Sequence, residues 1–352
     1  MLNDMTRDNR KAALLSREVA HIDITSFDAG PIVAAMEKMS FSSRDLGRAT
    51  KIYNEMLADR DCTIILTLAG STSAGGCMEL YTDLLRYNMV DCIVATGASI
   101  VDMDFFEGLG FKHYQAGEPV DDDTLRRLEI DRIFDTYIDE RDLKACDAAI
   151  TEIADQMQPG AYSSRAFIRQ MGRYLRDNGK KENSLVRLAL EHDVPIFCPA
   201  FSDSSAGFGL VLHQSRRIAQ KQPCVSIDSV ADFRELTDVK IKAGTTGLLM
   251  IGGGVPKNFA QDTVVCAEIL GHEDVEMHKY AVQITVADVR DGACSSSTLK
   301  EACSWGKVSP VKEQMVFAEA TTVLPLLASD AYHRGAWRER PQRRLATLFG
   351  DG

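Results

Sequence analysis

Lys307 ends the segment Ala302-Cys303-Ser304-Trp305-Gly306-Lys307, two positions after a tryptophan and one after a glycine. That grouping, expected in a non-helical stretch, suits an amine held against an aromatic wall. Partial desolvation disfavours the ammonium form of a lysine. A neutral lysine amine can attack a carbon–nitrogen or carbon–oxygen double bond and form a Schiff base. The residues alone leave a second reading open, an ordinary solvated lysine beside a half-buried tryptophan.

A second kind of chemistry is written in glycine. Gly70 to Gly76 precedes an expected helical run, Met78 to Asn88. Gly97 follows another apolar run, and Gly252-Gly253-Gly254 precedes Val255-Pro256-Lys257-Asn258. Glycine lets backbone N–H groups approach a pyrophosphate, and a helix N-terminus favours the anion. None of the three is a GxGxxG or a Walker A motif. One such turn would be explained by sterics alone; three on one sheet point to a nucleotide or dinucleotide.

The elements that must position these residues alternate. Cys62–Leu68, Val90–Ala95, Pro195–Phe201, Gly247–Ile251, Tyr280–Thr285 and Gln314–Phe317 read as short β-rich runs. Each ends in Gly, Ser, Thr, Asp or Glu residues, and most lead into a helical segment. The alternation predicts an α/β fold with a mostly parallel, doubly wound sheet. Ligands of such sheets sit beyond the carboxyl ends of the strands, where these small and polar residues fall. Residues 1–60 read as a helical segment packed on the main unit, with Leu46, Ala49 and Tyr53 at helical spacing after the cap chemistry of Ser40 to Asp45. Residues 61–330 form the main unit and 331–352 a tail. Residues 110–160 are charged and less periodic, and are expected to be an excursion of loops and helices. Arg334 to Arg344, with five arginines around Trp337, is expected to be solvated.

Composition narrows the class. The chain has 352 residues, 45% of them hydrophobic, and a net charge of −11. The charge argues against nucleic acid, and no apolar run approaches the ~18 residues of a membrane span. The N-terminus carries both charge signs and no apolar core of a secretory signal. Nine cysteines without CxxC spacing read as reduced thiols of a cytoplasmic protein. Seven histidines show no paired spacing, so no metal site is expected.

Taken in order, SWGK, LLMIGGGVPKN, YNMVDCIVATG, PIFCPAFSDSSAG and AEATTVLPLL resemble the deoxyhypusine synthase family, over roughly residues 22–330. The resemblance implies a Rossmann-like fold, bound NAD and a homotetramer with active sites at subunit interfaces. It implies redox-neutral transfer: NAD takes a hydride from an amine such as spermidine, Lys307 captures the aminobutyl group as an imine, and an acceptor amine receives it. Carried over residue by residue, Gly70, Ser71 and Ala74 match the first phosphate loop, and Thr96, Gly97 and Ala98 the second. Asp203, Gly252, Gly253, Thr285, Val286, Glu319 and Ala320 match further NAD contacts, Glu319 replacing an aspartate. Asp203 has a competing reading as a helix N-cap.

The substrate pocket departs from the family. Val101-Asp102 stands where the family has two glutamates, Phe208 where it has an aspartate, Asn258 where it has a histidine, and Cys294 where it has another aspartate. Asp102 as a shortened acid, Glu301, Trp305 and Lys307 remain. A charged hydrogen bond to an ammonium contributes about 1.5–3 kcal/mol, so three lost carboxylates should weaken a spermidine site. Asp104, Asp288 and Asp291 are the acids that could compensate from shifted positions. Phe208 either stacks on a ligand or fills space, and Cys294 reads as small filler. The expected function is an NAD-dependent aminoalkyl transferase acting on a small amine or polyamine such as putrescine, homospermidine synthase-like. The alternatives are deoxyhypusine synthase itself, acting on a lysine of the hypusine-bearing translation factor, and an inactive NAD-binding homologue. A sirtuin-like deacylase would bring a paired-cysteine zinc module that the sequence lacks.

Overall fold

The computed structural model describes residues 7–117, 119–290 and 297–350. Among them, β1 Thr63–Leu68, β2 Cys92–Ala95, β3 Ile196–Phe197, β4 Thr246–Ile251, β5 Tyr280–Thr285 and β6 Glu313–Phe317 form one sheet. Every pairing in it is parallel, and the strand order is β6-β5-β4-β1-β2-β3. This is the doubly wound order, with its reversal point between β1 and β4. All six expected runs are strands of this sheet, and Tyr280–Thr285 coincides with its strand.

Helices cover both faces, which explains why the strands read as apolar runs and not as an alternation. Leu66, Leu249, Val282 and Val316 pack on one side with Tyr53, Leu84 and Leu327. Ile65, Leu248, Ala281 and Met315 pack on the other with Val239, Ala260 and Leu299. Leu46, Ala49 and Tyr53 lie fully buried on the Phe41–Ala58 helix, as their spacing predicted. Ser40 precedes that helix, but its side chain makes no capping hydrogen bond. Among the described residues no helix is long and apolar enough to cross a membrane.

Two expectations need correcting. The excursion contains an antiparallel sheet of His113–Gln115, Thr136–Asp139 and Ile130–Ile133. Its strands are three or four residues long and carry exposed charges such as Asp131 and Arg132, so they lack an apolar signature. The arginine-rich run is also not a solvated tail. The Arg340 guanidinium is buried, pairs with buried Asp91, and donates to the Asn88 and Cys62 carbonyls. Trp337 stacks on Tyr332, with ring centroids 5.6 Å apart.

Candidate active site

The parallel register makes the strand ends level. Leu68 pairs with Ile251 on one side and Ala95 on the other, and Thr285 pairs with Phe317. The residues that follow, Gly70, Thr96, Gly97, Gly252, Gly253, Val286 and Glu319, therefore leave one edge of the sheet. Gly252 has φ +74°, and a Cβ there would lie 3.1 Å from the Ala69 Cβ. Its carbonyl accepts the Gln283 side-chain amide at 3.0 Å. Gly70 has φ +78°, and its carbonyl accepts the Ser99 hydroxyl at 2.8 Å, which ties the first turn to the second. A Cβ at Gly97 would meet the Ser204 side chain at 2.5 Å, so the loop after β3 closes on the same turn.

The Gly254–Ile269 helix begins at the reversal point with Gly253 as its N-cap, and no side chain caps it. Uncapped N–H groups at a helix start, in a crevice narrowed by glycine, suit a pyrophosphate. These residues fit a dinucleotide such as NAD. Ser71, Thr96 and Ala98 are half-buried at this edge. Ala74 packs with Met78 and Met103 beneath it.

The polar groups at the edge have further partners. Glu319 caps the Ala320–Arg334 helix, accepting the N–H groups of Thr321 and Thr322 at 3.0 and 3.1 Å. Partial burial pushes its carboxyl up, but these bonds and the two threonine hydroxyls outweigh burial and hold it low. Ribose would have to share a carboxylate already engaged. Thr285 accepts the Ala287 N–H at 3.1 Å, and Val286 is exposed. Asp203 is exposed and is not the cap of the Ser205–Ala219 helix; Ser204 fills that place.

Asp102 accepts the Ser205 N–H at 2.7 Å. Burial pushes its carboxyl up to about 6, and the charges of Asp147 and Asp203 act in the same direction. Phe208, in the first turns of the Ser205–Ala219 helix, is 67% exposed. Asn258 is half-buried in the first turns of the Gly254–Ile269 helix.

Lys307 lies in a different setting. Ala302 to Ser304 are helical, in Leu299–Ser304, contrary to expectation; Trp305 caps that helix and Gly306, at φ +71°, reverses the chain. Lys307 Nζ is 5.2 Å from the Trp305 ring centre and 2.5 Å from Asp262 Oδ1. The aromatic wall is present, but the carboxylate beside it was not foreseen. Glu301 forms a capping box with Thr298, so its carboxylate serves its own helix.

The Lys307 carbonyl accepts the His278 N–H at 3.0 Å, and Val308 bridges His278. His278 precedes β5, so the Lys307 backbone lies at the amino end of that strand. His278 itself is locked below it. Its Nε2 donates to the Ala260 carbonyl at 3.1 Å, which leaves Nδ1 of the neutral ring to accept the Thr246 hydroxyl at 2.8 Å; that hydroxyl oxygen also accepts from Lys240. Burial holds the imidazole well below its usual range, and so neutral.

Asp262 is eight residues from Gly254, about 12 Å along the helix. The lysine head group therefore sits on the flank of the sheet, outside the crevice. The chain carries the glycine turns with Asp102, Asp203, Phe208 and Asn258 at one edge of its sheet, and sets Lys307 and Trp305 apart from them.

The sequence model of the deoxyhypusine synthase family matches residues 31–331. The chain belongs to the deoxyhypusine synthase family. It is 69% identical over 347 residues to a deoxyhypusine synthase-like protein of Coxiella burnetii, covering 98% of this chain and 97% of that one. It is 67% identical over 350 residues to one of Caulobacter vibrioides, covering 99% and 95%. The fold is similar to the crystal structure of an Entamoeba histolytica protein assigned as a deoxyhypusine synthase. That match has a TM-score of 0.59 at 19% identity and covers 90% of this chain and 97% of that one.

Within this deoxyhypusine synthase-like chain, the two described acids among the expected replacements, Asp104 and Asp288, are engaged elsewhere. Val101 is fully buried in the core, so its position carries no pocket group. Asp104 is buried and accepts from the Leu185 and Val186 N–H groups and the Ser184 hydroxyl, where it anchors the start of the Leu185–Glu191 helix. Asp288 pairs with Arg290 on the surface. Asp291 and Cys294 lie outside the described residues. Sequence reasoning missed Asp262, Ser99 and Ser204. Ser204 sits inside a motif already noticed and Ser99 directly follows the second phosphate loop, whereas Asp262 lies mid-helix in no motif at all.

Proposed function

We propose that this chain is an NAD-dependent aminoalkyl transferase that carries the group on Lys307 and acts on a small amine such as putrescine. Bound NAD would accept a hydride from the donor amine and return it to the product imine. The chain's own residues bind, orient and transfer. The turns at Gly70, Ser71, Ala74, Thr96, Gly97, Ala98, Gly252 and Gly253 hold the dinucleotide, with Asp203, Thr285, Val286, Glu319 and Ala320 around it. Lys307, steadied by Trp305 and by the locked His278, supplies the nucleophile.

The observation that carries the reading is the stack of Lys307 on Trp305 outside any helix. The choice of a small amine rests on the acids. Asp104, Glu301 and Asp288 are engaged in capping or surface pairing, which leaves few carboxylates for a triply charged spermidine. Asp102, Phe208 and Asn258 then line the acceptor side. The placement of Lys307 beside Asp262, about 12 Å along the helix from Gly254, supports active sites completed between subunits of a homotetramer; the unpatterned cysteines support a cytoplasmic location.

Borohydride reduction of the protein during turnover with NAD and spermidine tests the carrier. An aminobutyl adduct on Lys307, found by peptide mass spectrometry, supports the reading. Turnover with no adduct there removes it.

A further inference from the structure

Lys307 pairs with a carboxylate more open to solvent than itself. The Asp262 side chain is 38% exposed and that of Lys307 17% exposed, with Nζ and Oδ1 2.5 Å apart. The Trp305 ring, 69% exposed, lies on the same ammonium. A carboxylate beside an open indole face is a receptor for an alkylammonium, and here the occupant is the protein's own lysine.

The geometry points to Asp262 as an exchangeable counter-ion, which holds Lys307 in the empty site and takes the primary ammonium of the incoming amine. This rests on the reading of Lys307 as the group carrier. Two cations compete for one carboxylate. Once the substrate ammonium sits on Asp262, a second positive charge beside Nζ disfavours the protonated lysine. The displaced proton passes to water.

The free amine then forms a carbon–nitrogen bond to the substrate imine carbon, an imine that bound NAD would supply by accepting a hydride. The π electron pair moves to the imine nitrogen, which takes up a proton. A proton then shifts from the lysine nitrogen of the adduct to the departing nitrogen, and collapse breaks the bond to the departing amine and leaves the imine on Lys307. One proton is released and one taken up, and the exchange is redox-neutral. Asp262 thus provides, from a mid-helix position, an acid that the chain lacks at Val101 and Phe208. Substrate binding and activation of the nucleophile become one event.

The test uses the full-length protein loaded with NAD and compares wild type, Asp262→Asn and Asp262→Glu. Calorimetry with putrescine and with spermidine measures amine binding. Trinitrobenzenesulfonate labelling, resolved by peptide mass spectrometry, measures the reactivity of Lys307 without amine. Asp262→Asn should weaken amine binding at least about tenfold and speed labelling of Lys307 by about threefold or more. Asp262→Glu should stay near wild type in both, and unchanged NAD affinity verifies the fold. Wild-type amine affinity in Asp262→Asn, or unchanged labelling, overturns the exchange, as does a wild type that binds neither amine. If the exchange behaves as described but borohydride traps nothing on Lys307, the counter-ion role stands and the transferase reading falls.

Discussion

Gly252 and Ala69 face each other across the reversal point of the sheet, with room for a hydrogen on one side and a methyl on the other. Gly252→Ala places a Cβ 3.1 Å from the Ala69 Cβ, on a backbone at φ +74°. A left-handed alanine costs about 1–2 kcal/mol, and the crevice must widen or tilt. NAD affinity, measured by calorimetry, should fall at least about tenfold, with a loss of stability of that size. Unchanged affinity would place the dinucleotide elsewhere.

Arg340 is the anchor of the C-terminal run. Arg340→Ala leaves Asp91 buried without its cation, which typically costs about 3–5 kcal/mol. Urea unfolding should show that loss. A change near zero would mean that the run is the solvated tail its composition suggests.

Asp102 gives a pH signature. Burial pushes its folded-state carboxyl up to about 6, against 3.8 for a free aspartate side chain as in the unfolded chain. A raised value means that the folded state favours the protonated form. The stability this contributes is present below about pH 4 and is lost as pH rises through 6. Asp102→Asn should match wild type in stability at pH 4 and exceed it at pH 7, read from thermal melts across that range. Parallel curves would contradict the burial assigned to this carboxyl.

Val101 and Phe208 separate two routes to restoring lost acids. Val101→Glu buries a carboxylate in the core, where an unpaired charge costs several kcal/mol, and should yield unfolded or aggregated protein. Phe208→Asp is on an exposed position and should leave the melting temperature nearly unchanged while raising the ratio of variant to wild-type kcat/KM for spermidine above one. No shift in that ratio would remove charge loss as the cause of altered specificity.

The sheet was legible because strands buried on both faces, such as Thr63–Leu68 and Thr246–Ile251, write continuous apolar runs that no surface element imitates. The glycine turns were legible for a related reason, since φ +78° at Gly70 and the tight approach at Gly97 leave almost no other residue. The short strand Ile130–Ile133 was not legible, because half of it is exposed and charged. Nor was the role of Arg340, because one arginine among five looks the same in sequence whether it meets water or Asp91. The pairing of Lys307 with Asp262 joins residues 45 positions apart. Only the packing of a helix face against the Trp305 turn reveals it. The capping roles of Glu319, Glu301 and Asp104 were hidden because the same carboxylate can suit a ribose, an ammonium or a helix end.

The most direct measurement is mass spectrometry of the small-molecule products after incubating the purified protein with NAD, spermidine and putrescine, alongside Lys307→Ala. The account predicts homospermidine and 1,3-diaminopropane from wild type, and neither from Lys307→Ala, which should still bind NAD. Full transfer by Lys307→Ala would contradict the lysine-carried group, and intact spermidine with wild type would contradict the transfer itself.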